Sequence, residues 1–148
     1  MTAAIGLLAW IDPVMWLNDY PPDIRERHGP ASPATKRRAW VLGVPLLLVA
    51  LGIVVLGTIR LITAADTPVG FGALFVHSLI VMMTFNLVDL VVIDWLVFVR
   101  LRPSFVVLPG TEGCEGYDDY GFHGRAFLKG SVGIAVLSAI VAGIAAAV

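Results

Sequence analysis

From Phe71 to Val99 the chain is almost continuously apolar, yet His77, Asn86, Asp89 and Asp94 interrupt the run. As a helix rising 1.5 Å per residue this segment is roughly 44 Å long, more than the ~30 Å hydrocarbon layer of a bilayer. A carboxylate at the bilayer centre costs on the order of 2.5–3.5 kcal/mol on insertion scales, and less near the surface. Asp89 and Asp94 therefore require polar partners or a function.

Three further apolar segments cover about Thr2–Leu17, Ala39–Ile62 and Ser131–Val148, the first broken by Asp12-Pro13. With 58% hydrophobic and 14% charged residues and a mean hydropathy of +0.88, the composition is that of a membrane protein. The expected fold is all-α: an integral membrane four-helix bundle forming a single domain over residues 1–148. Its helices fall at about 2–17, 39–62, 71–99 and 131–148, with two long, partly helical loops at 18–38 and 100–130.

Loop charge sets the orientation. Arg25, Arg27, Lys36, Arg37 and Arg38 lie in the first long loop, and Arg100, Arg102, Arg125 and Lys129 in the second. The short connection Thr63–Gly70 holds neither Lys nor Arg. Positive residues favour the cytoplasmic side, so both long loops are expected in the cytoplasm and both termini outside, in a multi-pass plasma-membrane protein. No Lys or Arg precedes Arg25, which argues against a secretory signal peptide, and no lipidation motif is expected. A net charge of -1 gives no basic field for nucleic acid. Cys114, the single cysteine, excludes an intrachain disulfide and a CxxC site.

Small residues recur at Ala135, Ala139, Gly143 and Ala147, with Ser138, Ala142 and Ala146 beside them, and at Gly43, Ala50 and Gly57. Such stripes let helices approach closely in lipid, within the bundle, in a homo-oligomer or in a larger membrane complex. In the first loop, Pro21-Pro22 and Asp23 open a short helix that Gly29 closes, at the headgroup level. Ser32-Pro33 reads as the start of the next helix. Lys36, Arg37 and Arg38 then sit at the lipid phosphates, as topological anchors or as an anionic-lipid site.

At about 100° per residue, Asn86 and Asp89 lie about 60° apart, Asp94 about 140° from Asp89, and His77 about 180° from Asn86. Polar groups on several sides favour a central helix. Asp94 is expected to pair with Arg100, Arg102 or a first-loop arginine, or else to line a cytoplasmic polar pocket with Asp89. Asp89, Asp94 and His123 are the candidate catalytic residues, and His28 and His123 are either acid–base groups or solvated loop side chains. Asn86, Asp19, Asp23, Tyr120 and Arg125 are the candidate binding residues. Tyr117 and Tyr120 would anchor at the interface, and Gly121 and Gly124 weaken a continuous helix there.

Glu112, Asp118 and Asp119, with Glu115 and His123 nearby, offer oxygen and imidazole ligands suited to a divalent cation such as Mg²⁺ or Mn²⁺. Their spacing matches no metal motif, and a solvated acidic loop is the alternative. A bis-His haem is disfavoured, since His77 is the lone intramembrane histidine. Acidic neighbours disfavour a Cys114 thiolate. The phosphatidyltransferase aspartate pattern is absent, and the long loops differ from those of small four-helix multidrug transporters.

The expected function is an acidic, cytoplasm-facing pocket that binds or modifies a lipid-like or phosphorylated ligand. The alternatives are an accessory subunit of a larger complex and an oligomeric ion- or proton-coupled transporter. The topology is tested by Cys114: a membrane-impermeant maleimide should leave it unlabelled in intact cells and label it after permeabilisation. Labelling of intact cells would invert the orientation.

Overall fold

The computed structural model describes residues 10–147. Among them every regular element is helical. A 3-10 helix, Pro13–Asp19, precedes α1 (Pro22–His28) and α2 (Pro33–Thr63). Next come α3 (Phe71–Val88), which continues as a π-helical segment Asp89–Leu101, a 3-10 turn Glu115–Asp118, and α4 (Tyr120–Ala146).

Three helices are long and apolar enough to cross a membrane: Pro33–Thr63, Phe71–Leu101 and Tyr120–Ala146. The first and third, α-helical throughout at 31 and 27 residues, are roughly 46 and 40 Å long. Leu47, Leu48, Leu56, Val132 and Ile144 are all more than 60% exposed or at that value. A soluble monomer rarely shows an apolar surface of that extent, whereas lipid solvates it. The chain is an integral membrane protein.

Of the expected first helix, residues 2–9 lie outside the described residues, and its end turns into 3-10 structure at Pro13. Proline suits a helix start because it carries no N–H to leave unpaired. The last helix begins at Tyr120, well before Ser131. Asp119 explains the early start, since its Oδ1 accepts the Phe122 backbone N–H at 2.8 Å and caps the first turn. The helix then runs through Gly121 and Gly124 unbroken. Ser32 does the same for α2, its Oγ accepting the Thr35 N–H at 3.1 Å.

The described residues form two compact units. Residues 10–46 and 88–125 make the first. Its core joins Leu17, Tyr20 and Ile24 to Phe98 and Val99 of the π segment and to Val106, Leu108 and Tyr117 of the second loop. The two long connections therefore fold together around an apolar centre. Its two tyrosine hydroxyls are paired: Tyr20 donates to the Val106 carbonyl at 3.0 Å, and the Tyr117 hydroxyl accepts the Leu108 N–H at 2.9 Å. Tyr117 is 1% exposed, a core residue rather than an interfacial anchor.

The π segment ends at Arg102, in the left-handed conformation (φ 40°), whose N–H reaches back five residues to the Val97 carbonyl at 2.9 Å. That backbone state is unfavourable for a residue with a Cβ. The Arg102 side chain compensates by donating to the Tyr117 carbonyl at 2.8 Å, pairing with Asp118 and lying over the Tyr117 ring.

Residues 47–87 and 126–147 belong to the second unit. Val54, Thr58, Leu74, Ser78, Met82, Ser138 and Ala142 are buried in it. Of the paired small-residue stripes on α4, Ser138 and Ala142 are thus consumed in packing, while a Cβ at Gly143 would meet open space. Gly57 makes room for His77, whose Nε2 would sit 2.9 Å from a Cβ there. Asn86 donates its amide to the Phe127 carbonyl at 3.2 Å and to Ser131 Oγ at 3.1 Å.

Two substitutions test this packing through the thermal midpoint of the purified protein. Gly116→Ala places a Cβ against the Asp23 carboxylate and 2.6 Å from Pro21 Cβ; it should cost about 1–3 kcal/mol. Asn86→Ala, which cuts the α3–α4 hydrogen bonds, should cost about 1 kcal/mol.

Candidate functional site

A cavity of about 210 Å³ opens in the first unit. Its lining draws on Trp16, Asp19 and Tyr20 from the first 3-10 helix and its end, and on Phe105 and Val106 from the second loop. Asp89, Ile93, Asp94, Val97 and Phe98 form the π-helical wall, and His123 of α4 completes it.

The wall residues are spaced at i, i+4, i+5, i+8 and i+9. An α-helix scatters that set, because a five-residue step turns the chain by about 140°. A π-helix bonds i to i+5, and its wider turn brings residues four and five apart to one side. The α-helical separation of Asp89 from Asp94 is therefore corrected: both carboxylates face one cavity.

Asp94 is answered by histidine rather than arginine. His123 Nδ1 lies 3.1 Å from Asp94 Oδ1, and the His123 side chain is 4% exposed. Arg102, one of the expected partners, instead pairs with Asp118. A carboxylate on Nδ1 fixes the orientation of the ring and leaves Nε2 as its second polar atom. His123 Nε2 is buried and has no hydrogen-bond partner among the described residues. Such an orphan costs about 1–3 kcal/mol, which a polar atom of a ligand or a water would recover. Phe98 packs edge-on against the imidazole with ring centroids 4.9 Å apart, fixing its plane.

Asp19 stands at the mouth, with part of its surface in solvent. The protein mass around its carboxyl, and then the Asp94 carboxylate, raise its pKa above the ordinary value, while His123 and Arg25 oppose the rise. Burial likewise pushes the neighbouring Tyr20 hydroxyl upward, which keeps it a neutral donor.

The other candidates are engaged elsewhere. Asp23 Oδ2 accepts the Gly116 N–H at 2.9 Å, tying α1 to the 3-10 turn of the second loop. Asn86 is committed to α4. Tyr120 is exposed, packs edge-on against Trp95 and accepts the Trp95 Nε1–H on its carbonyl at 3.3 Å. Arg125 pairs with Asp119 at 3.4 Å.

Glu112, Asp118 and Asp119 do not converge as metal ligands. Glu112 accepts the Gly110 N–H, Asp118 binds Arg102, and Asp119 caps α4. No group of three or more His, Cys, Asp or Glu side chains suited to a metal occurs among the described residues.

Sequence reasoning missed the aromatic walls. Trp16, Tyr20, Phe98 and Phe105 carry no motif, and only the folding of both loops onto the π segment brings them to the carboxylates. No family model, curated protein or solved structure matches the chain.

Two measurements follow. Asp94→Ala removes the partner of a buried imidazole and should cost about 1–3 kcal/mol, with Asp94→Asn costing less because its amide oxygen still accepts from Nδ1. A raised carboxylate pKa in the folded state means that the unfolded chain ionises first, so stability falls as pH rises from the unfolded value to the folded one. Asp19→Asn should therefore raise the thermal midpoint at neutral pH by a small, solvent-screened amount, and the gain should vanish in acid.

Proposed function

We propose that the chain is a plasma-membrane protein whose inner-face pocket binds the cationic head of a lipid-like molecule. The observation that carries this reading is the lining itself: Asp19, Asp89 and Asp94 beside Trp16, Tyr20, Phe98 and Phe105. Carboxylates with aromatic faces suit an ammonium group, which gains from both charge and ring quadrupole. A phosphorylated head would meet repulsion from the same carboxylates, so the reading narrows from lipid-like or phosphorylated to lipid-like and positively charged.

At about 210 Å³ the cavity has the volume of roughly seven waters, enough for a head group with the apolar tail left in lipid. Asp89 and Asp94 hold the charge. His123 Nε2, oriented through Nδ1 by Asp94, is the unpaired polar atom that the pocket offers a bound head group.

The topology that places the pocket in the cytoplasmic leaflet is the one the loop charges favour. A fourth crossing by the N-terminal apolar segment closes the bundle, with both termini outside. The asymmetry of Lys and Arg between the long and short connections supports it.

The test is binding of octylammonium and octyl phosphate to the protein in nanodiscs. Octylammonium should bind at least about tenfold more tightly, and Asp89→Asn or Asp94→Asn should weaken it by about ten- to a hundredfold, the value of a charge-assisted contact. Equal binding of the two probes, or octylammonium binding indifferent to both substitutions in folded protein, would sink the proposal.

A further inference from the structure

A second concavity in the same unit differs in charge from the first. A groove of about 560 Å³ lies between the 3-10 helix Pro13–Asp19, α1 and the first two turns of α2. Its lining combines Arg25, Lys36, Asn18 and Glu26 with the apolar Ala39 and Trp40.

Three observations bear on its occupant. Arg25 has a buried Nε with no hydrogen-bond partner, and it makes no ion pair among the described residues. Its Nε is thus a buried donor without an acceptor, and phosphate oxygens match guanidinium geometry. Lys36 is exposed and adds a second positive charge beside Glu26, while Asp19, on which Arg25 also acts, lines the other cavity.

The third observation is the order of the lining along α2. Lys36 belongs to the basic start of the membrane-crossing helix, and Trp40, 73% exposed, begins its apolar surface one turn later. A polar end and an apolar end only one turn apart mark the boundary between headgroups and acyl chains, where tryptophan is enriched. A soluble phosphate would use the cationic end alone.

We propose that this groove is a binding site for one anionic phospholipid. Its phosphate sits between Arg25 and Lys36, and its acyl chain runs down α2 past Ala39 and Trp40. The site is separate from the acidic cavity and takes a ligand of opposite charge. It also gives Arg25 and Lys36 a role distinct from the general attraction of the neighbouring Arg37 to the membrane surface.

The experiment uses the full chain reconstituted in phosphatidylcholine vesicles with and without phosphatidylglycerol, then extracted in mild detergent. Lipid retained per protein is read by native mass spectrometry. Wild type should keep phosphatidylglycerol in preference to phosphatidylcholine, and Arg25→Gln and Lys36→Gln should each lower retention about tenfold, the loss of one charge-assisted contact. Arg37→Gln, which does not line the groove, should leave it unchanged. Lys36 is exposed, so its substitution carries the test even if Arg25→Gln fails to fold. Equal losses from Arg37→Gln, equal retention of the two lipids, or displacement of phosphatidylglycerol by inorganic phosphate would each overturn the proposal.

Discussion

Hydrocarbon cannot solvate a carboxylate, and the first unit is organised around that constraint. Asp89 and Asp94 stand in the last part of a membrane-length helix, where each needs a polar environment that the helix cannot supply. Asp94 obtains it from His123 on a different helix, at 3.1 Å. Meeting that need requires α4 to begin early enough to carry His123, and Asp119 provides the cap that starts it at Tyr120. The carboxylate, the imidazole and the cap form one chain of dependence across the second loop.

A folded covering is the second consequence. Tyr20, Phe98 and Tyr117 come from the first loop, the π segment and the second loop, and their rings pack against one another with centroids 4.9–6.4 Å apart. That aromatic centre removes apolar surface from water without lipid, which neither loop could do alone. It also brings Trp16, Phe105 and Val106 into one lining with the carboxylates, so that the polar residues share a partly open cavity with apolar walls. Two concavities of opposite character result, one acidic and aromatic, the other basic and amphipathic. Their charges follow from which loop residues face which element.

Legibility in the sequence varied with the range of the interaction involved. The long apolar runs were readable because a bilayer imposes length and composition on consecutive residues. Asp89, Asp94 and His123 stood out as candidates because charge and imidazole are unusual in or beside such runs. The face they share was not readable: arithmetic at 100° per residue holds for an α-helix, and residues 89–101 are π-helical. Glu112, Asp118 and Asp119 looked like a cluster because they are close in sequence. Each bonds a different local partner, since a short acidic loop has backbone N–H groups and arginines nearer than any common centre.

By itself the sequence determined that this chain is helical and belongs in a membrane, because hydrophobic length acts locally and survives any arrangement of the helices. It also determined that the third helix carries charge requiring compensation, since desolvation depends only on the group and its surroundings of lipid. Tertiary structure alone decided what compensates that charge. The pairing of Asp94 with His123, the aromatic walls and the orphaned nitrogen of His123 depend on residues far apart in the chain. Such contacts arise from the folding of both loops onto the π segment, a cooperative outcome that no periodicity along the chain encodes.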